Sequence, residues 1–573
     1  MKALNHSISS LDWTVIALYF VLIAVLAWWY GRRQKDSVDY FLAGRNAGFI
    51  AIGASIFTSN IGSEHIVGLA GQGASTGMAM AHWELHAWVL ILLAGVFVPF
   101  YYRAGVETIP QFLEKRFDAR ARTLLSVVSL VAYVFTKVSV TVFAGAIVFQ
   151  TLLPDTFGSR DNAFWVGAFT TVAITGLYTV FGGMRAIMAT AVPQAVLILV
   201  GSLLITLLGL HKLGDGAGLM AGWSELVATA RDHAETFALW RPLSDPDFPW
   251  LGVLIASPII GIWYWCTDQY IVQRTLSAKD LATARRGALF GGLLKVWPVL
   301  IFLIPGMIGW SLHERGLMEL PTRVVDGAVL IDGDSVFPML VTSLLPAGVR
   351  GLIVACLLAA LMSSLASLFN SSAALFTVDI YEKLRPRQSA QHLLRVGRIA
   401  TTVVVGLGML WIPVMKVISG GGLYQYLQSV QGYLAPPIAA VFLLGLFWER
   451  VNARGAVWGL AGGFLLGMFK LTCQAFFGAH KIAEPRWLAA IGDFNFLYAT
   501  GLLFAASIVL LIVGSLSAPP PAPEQIRGLT FSTVRAEARE EIRRSWDTGN
   551  KLMAALILAL VGAMYLYFSF WLD

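Results

Sequence analysis

Apolar runs of about 20 residues recur along the whole chain. Each is what a helix needs to cross a hydrocarbon layer about 30 Å thick. The runs do not alternate, so they do not read as strands of a membrane barrel. A soluble domain carries roughly 25% charged residues, whereas this chain of 573 residues is 57% hydrophobic and 13% charged. The fold class read from this is an all-α polytopic membrane protein.

About fourteen spans are predicted, near 11–31, 49–74, 78–102, 121–152, 162–180, 188–211, 250–273, 286–313, 342–382, 393–417, 421–446, 453–474, 490–516 and 549–571. The run at 342–382 is too long for one crossing and is expected to continue beyond the membrane. The first run is too long for a signal-peptide core, and Gly31-Arg32-Arg33-Gln34-Lys35 follows it in place of a cleavage site.

The net charge of +7 is read as loop topology, with no nucleic-acid partner. Lys and Arg gather in alternate loops, including Arg32, Arg33, Arg103, Arg116, Arg274, Arg285, Lys383, Arg395 and Arg450. The positive-inside rule then places both termini outside a plasma membrane. Cys266, Cys356 and Cys473 all fall in apolar segments and suggest packing, with no disulfide framework.

The predicted division is 1–48 as a leading helix and cytoplasmic loop, 49–211 as a first repeat and 212–249 as an extracellular loop. A second repeat at 250–446 follows, then 447–573 with three more helices and a cytoplasmic linker at 517–548.

Two spans look interrupted. The run at 49–74 holds Gly53, Gly62, Gly68, Gly71 and Gly73 among hydroxyl and amide residues, and the run at 250–273 holds Pro258 and Gly261. They are five spans apart, and an odd separation inverts topology. Paired broken helices in corresponding positions of two halves point to a transporter's binding site. Glycines that only permit close helix packing are the alternative.

Ionisable groups inside spans are costly, so each is a functional candidate. Glu84, Lys295 and His65 qualify, with the amides of Asn60 and Gln428. This mixture of donors and acceptors suits a polyhydroxylated ligand, because each hydroxyl both gives and accepts. Trp83, Tyr264, Trp265 and Tyr424 offer flat faces for a sugar ring. A structural Glu–Lys pair is the plainer reading of Glu84 and Lys295. Sodium, a hard cation, prefers oxygen ligands, and Ser363-Ser364 offers hydroxyls near exposed carbonyls around Thr58 and Ile61. Such serines usually bond their own preceding turn.

With these residues the chain resembles the sodium/solute symporter family, in its sodium/glucose cotransporter branch. The stretches that carry the resemblance are DYFLAGR from Asp39, GASIFTSNIGSEHIVGLAGQGASTG from Gly53, WYWCTDQYIVQR from Trp263, ALMSSLASLFNSSAALFTVDIY from Ala360 and YLAPPIAAVFLLGLFW from Tyr433. The resemblance implies a leucine-transporter-like fold of five-plus-five inverted repeats, with one helix before and three after. It implies a sodium site of Thr58, Ile61 and Ala360 carbonyls with the Ser363 and Ser364 hydroxyls. It implies a sugar site of Asn60, His65, Glu84, Lys295 and Gln428, with Tyr264 as inner gate and Trp265 beside it. Leu69, Trp83 and Tyr424 correspond to the outer cover.

Two departures bear on function. Gly261 stands where members of the family often carry a hydroxyl or amide. Ala191 follows Thr190 where several carry an Asp linked to a second sodium, so one sodium per solute is expected.

The expected function is sodium-coupled import of a hexose, glucose or galactose, by alternating access. Sodium is a co-substrate; no cofactor and no obligatory protein partner are implied beyond the lipid bilayer. The alternatives are a myo-inositol or polyol symporter, a sensor that binds sugar without moving it, and coupling to protons through Glu84 or His65. No phosphate loop, metal cluster or nucleophile elbow suggests an enzyme.

Overall fold

The structure, a computed structural model, describes residues 8–573 apart from 33, 63, 154–156, 326–327, 419–422 and 479–480. The side chains of residues 64, 135–136, 323–325, 328–330, 411, 414–418 and 423–426 also lie outside the described residues. Helices dominate, with one short antiparallel hairpin, Thr322–Val325 against Ala328–Ile331.

Among the described residues, 11 helices are long and apolar enough to cross a membrane. Some hold more than one predicted span. Arg160–Leu213 is 54 residues long, which at 1.5 Å per residue far exceeds a bilayer's thickness. It is divided at Gly183, whose φ of 53° leaves the helical region. The expected spans at 162–180 and 188–211 lie on either side. A β-carbon at Gly183 would sit 2.8 Å from the carbonyl oxygen of Tyr40, in a conformation that side-chain-bearing residues rarely adopt.

Burial sorts the helices into layers. The apolar stretch of Val349–Leu384 is 94% buried, against 28% for Ser10–Gly31 and 22% for Thr548–Ser569. The first sits at the centre of the molecule, and the other two expose their apolar sides, as lipid-facing helices do. Asp12 pins Ser10–Gly31 to the central helix. It caps its own helix through Ser9, and it accepts from the backbone N–H groups of Gly348 and Gly351, each at 2.7 Å, and from Arg350 Nε at 3.2 Å.

Two expectations about boundaries are corrected. The run at 342–382 is not continuous. Val336–Leu344 is a separate helix, Leu345 is extended, and the central helix starts at Val349 after Gly348 with φ 86°. The second interrupted span does not break at Pro258 or Gly261. Both lie within Trp250–Ile262, and the helix opens at Asp268, where φ and ψ are −80° and 124°. The first break falls as expected: Phe49–Asn60 ends, Ile61 and Gly62 are non-helical, and helix resumes at Glu64. Gly53, Gly71 and Gly73 serve packing. A β-carbon at Gly73 would lie 2.2 Å from Leu303 O, and one at Gly53 would lie 2.8 Å from Gly291 N.

The predicted loops carry structure of their own. Residues 212–249 hold Leu219–Arg231 and Ala234–Phe237. Residues 517–548 hold Ala536–Arg544 and dock along one end of the molecule. Phe531 donates its N–H to Leu446 O at 3.0 Å and stacks on Phe447, and Arg285 Nη1 donates to Ile542 O at 2.7 Å.

Candidate functional site

Residues from both broken helices line one narrow, largely polar cavity. Its walls include Asn60, His65, Trp83, Glu84, Tyr264, Trp265, Lys295 and Gln428. These come from the first broken helix, the helical run at 81–104, the second broken helix, Leu281–Lys295 and Leu423–Phe447.

A polar chain crosses the cavity. Lys295 Nζ donates to Glu84 Oε2 at 2.5 Å, and His65 Nε2 lies 3.8 Å from Glu84 Oε1. Asn60 Nδ2 sits 3.4 Å from His65 Nε2 and donates to the Tyr264 hydroxyl at 3.1 Å. The Lys295 ammonium also lies 5.6 Å over the Trp265 ring. Both members of the Glu84–Lys295 pair are buried, so each cancels a charge that would otherwise stand unsolvated.

Among the described residues, three further polar atoms on the same wall are buried without a partner: Asn60 Oδ1, Gln428 Oε1 and Trp83 Nε1. Buried polar groups are nearly always paired. Two acceptors and one donor left open around a cavity are therefore suited to a ligand that both donates and accepts.

One side of the cavity is closed by aromatics gathered around Lys137. Its ammonium lies 4.8 to 5.0 Å from the rings of Tyr133, Trp263, Tyr264 and Tyr270. It pairs with Asp268, which also accepts from the Tyr133 hydroxyl. The second helix break is thereby tied to a neighbouring helix, and Tyr264 is held from two sides. On the other side Trp83 packs edge-on against Phe248, 6.1 Å between centroids. Leu69 is buried but does not line the cavity. Tyr424 lies in the first turn of the helix Leu423–Phe447, and its side chain lies outside the described residues.

The helix that carries Ser363 and Ser364 meets the segment before the first break through side-chain hydroxyls. Gly62 N–H, the donor that would continue the helix to Thr58 O, bonds Asn60 O instead, at 3.0 Å. His65 N–H, the corresponding donor for Ile61 O, bonds Gly62 O at 3.1 Å. The carbonyls of Thr58 and Ile61 are thus relieved of their regular helical donors. Ser364 does not bond its own preceding turn; its hydroxyl reaches across to Ser59 O at 3.0 Å. Ser59 Oγ meets Ser367 Oγ at 2.8 Å. Ser363 Oγ and Thr58 Oγ1 are buried with no partner among the described residues. Ala360 lies one turn before Ser364 on the same buried helix. Neutral oxygens without donors fit a hard monovalent cation. Ala191 brings no carboxylate, and the Thr190 hydroxyl bonds Ala186 O at 3.0 Å.

Eight lining residues escaped the sequence reading, among them the polar His86, Lys137, Thr141, Tyr270 and Gln431. Lys137 is ionisable and lies in an apolar run, which is the signal that could have found it. His86 stood in the same short segment as Glu84 and His82. His82 turns away and spends both ring nitrogens, on the Tyr565 hydroxyl and on Leu239 O.

Comparison with known proteins gives a consistent picture. The model of the sodium:solute symporter family matches residues 40–463. Sodium/glucose cotransporter 2 of Rattus norvegicus is 40% identical, over 93% of this chain and 82% of its own. Sodium/myo-inositol cotransporter of Mus musculus is 36% identical, over 96% of this chain and 79% of its own. A solved structure of a Na+-coupled sialic acid symporter superposes with a TM-score of 0.73 at 22% identity, covering 90% of this chain and 99% of that one. The fold is the leucine-transporter-like one that the resemblance implied.

Proposed function

The chain belongs to the sodium:solute symporter family, and on that premise we propose that it imports a hexose, glucose or galactose, with one sodium ion per sugar. The observation that carries this reading is the buried Glu84–Lys295 pair joined through His65 and Asn60 to Tyr264 around one cavity. A sugar hydroxyl can accept from Lys295 while it donates to Glu84, and Trp265 and Tyr264 cover the apolar faces of the ring. The role is transport, with no catalysed bond change.

Residues 49–211 and 250–446 are assigned as the two inverted halves, supported by the paired breaks at 61–62 and 268. The basic loops favour a cell-membrane orientation with both termini outside.

Sodium binds first, between the Thr58 and Ile61 carbonyls and the Ser363 and Ser364 hydroxyls. It draws the first broken helix against the central helix and so orders Asn60 and His65 for the sugar. Trp83 closes above, the helix bundle rocks, and departure of sodium loosens the contact. Tyr264 then swings from Asn60 and releases the sugar inward. Ligands shift such an equilibrium only by their differential affinity for its states. A potential of about 100 mV supplies roughly 2.3 kcal/mol for one charge. A tenfold sodium gradient adds about 1.4 kcal/mol, and together they support roughly 500-fold accumulation.

A second substrate reading is favoured by the inositol relative, which is nearly as similar as the glucose one. Uptake of labelled glucose, galactose and myo-inositol into proteoliposomes decides between them, with sodium outside against a choline control. Sodium-dependent accumulation of a hexose above equilibrium supports the reading. Accumulation of inositol alone moves the substrate to the polyols, and no accumulation of any of the three refutes it.

A further inference from the structure

His86, on the cavity wall, is held from the second broken helix. Its backbone (φ −62°, ψ 4°) lies in the turn between Ala81–Glu84 and Ala87–Leu92, which directs the ring toward Trp250–Ile262. Nε2 lies 2.6 Å from Ser257 Oγ, so one end of the imidazole is fixed. Ser257 and Gly261 are four residues apart and share a helix face. The other end of the same ring edge lies at Gly261, where an added β-carbon would sit 3.2 Å from Cε1 and 3.3 Å from Nδ1. No side chain covers that edge from the helix, and Nδ1 makes no hydrogen bond among the described residues. The ring borders the cavity, as does Ile260 beside the glycine.

We propose that His86 is a specificity-determining residue that hydrogen-bonds one ring hydroxyl of the sugar through Nδ1, with Ser257 as its positioning residue and Gly261 as the gap that keeps Nδ1 uncovered. The inference rests on the hexose reading given above. The pairing with Ser257 sets the tautomer. Where the serine donates to Nε2, Nδ1 carries the proton and donates; where it accepts, Nδ1 accepts. A hydroxyl satisfies either arrangement. A site built to bond a hydroxyl rejects the analogue that lacks it, because its own polar atom is then left unpaired. His86 therefore adds a selection at a ring position that the Glu84–Lys295 pair does not read.

The test is a series of 2-, 3-, 4- and 6-deoxyglucose as competitors of labelled hexose uptake in sodium. It is run on wild type, His86→Ala, Gly261→Ala and Ser257→Ala, each first checked as monodisperse in detergent. Wild type should lose about tenfold in affinity for one deoxy sugar. His86→Ala should lose that discrimination at the same position and keep it at the others. Gly261→Ala, which covers Nδ1 but leaves the histidine in place, should reproduce the change, so the test survives if His86→Ala does not fold. Ser257→Ala should weaken it partially. Unchanged discrimination at all four positions in Gly261→Ala and His86→Ala, with sodium-dependent uptake retained, overturns the proposal. Absence of any sodium-dependent hexose uptake in wild type instead removes the substrate reading, and this inference with it.

Discussion

Lys295 Nζ and Glu84 Oε2 stand 2.5 Å apart on a cavity wall, with both side chains almost wholly buried. Neither charge has water to fall back on, so each depends on the other. Removing one partner of a buried pair costs about 3–5 kcal/mol, whereas removing both can be nearly neutral. Glu84→Gln and Lys295→Met should each lower the melting temperature and abolish uptake. The double variant should recover most of the melting temperature and none of the uptake. Thermal melting in detergent beside uptake separates the two effects, and a double variant no more stable than either single one would show that the charges do not compensate each other.

Ser363 Oγ is buried and has no hydrogen-bond partner among the described residues, so its loss removes a proposed ligand and breaks no bond seen there. Ser363→Ala should raise the sodium concentration for half-maximal uptake by about tenfold and leave the melting temperature unchanged. An unaltered sodium dependence would take this hydroxyl out of the ion's shell.

Asp12 holds three donors of the central helix's first turn. Asp12→Ala leaves them unsatisfied, with an expected loss on the order of 3 kcal/mol. The readouts are a lower melting temperature and lower yield, with the sodium dependence of uptake in the surviving protein as in wild type. A changed sodium dependence would mean that this tie reaches the transport cycle.

Asp245 lies outside the spans, in the loop that presents Phe248 to Trp83. Burial pushes its carboxyl up, and this is outweighed by the N–H groups of Phe248 and Asp247 and by the Arg241 guanidinium, so it is held below the ordinary value of 3.8. A carboxyl depressed in the folded state contributes stability above its unfolded pKa and loses it as pH falls through the folded one. The loop should therefore stay ordered down to about pH 4 and loosen in stronger acid. Hydrogen exchange across 240–250 as a function of pH checks this. In Asp245→Asn the exchange should already be fast at neutral pH and show no acid step.

How far the molecule was legible in its residues varied with the range of the interaction. Hydropathy located the helices, because a span must satisfy its backbone internally and face lipid or protein with apolar groups. The first break was legible from its cluster of glycines and hydroxyls, although Gly53, Gly71 and Gly73 turned out to be packing surfaces. The second break was placed wrongly. Proline and glycine are local signals, and Trp250–Ile262 absorbs both. What opens the backbone at Asp268 is accompanied by contacts to Tyr133 and Lys137, more than 130 residues earlier. Glu84 and Lys295 stood out because a charge in an apolar run is costly. His86 did not, because its meaning depends on Ser257 and Gly261, 171 and 175 positions away. The docking of 517–548 was invisible for the same reason: its anchors, Leu446 and Arg285, belong to other helices.

The non-helical step after Asn60 has a mechanical consequence. The oxygen of Asn60 takes the hydrogen of Gly62, while its amide side chain grips Tyr264 and touches His65. Thr58 and Ile61, the backbone positions proposed for the ion, bracket that same residue. A tilt of one or two peptide planes there moves the amide directly, as the hub of a wheel moves its spoke. On the proposed reading, communication between the two cargoes needs no relay through the body of the protein: it spans a few bond lengths, and the stiffness of this single turn would set how tightly one solute is geared to the other.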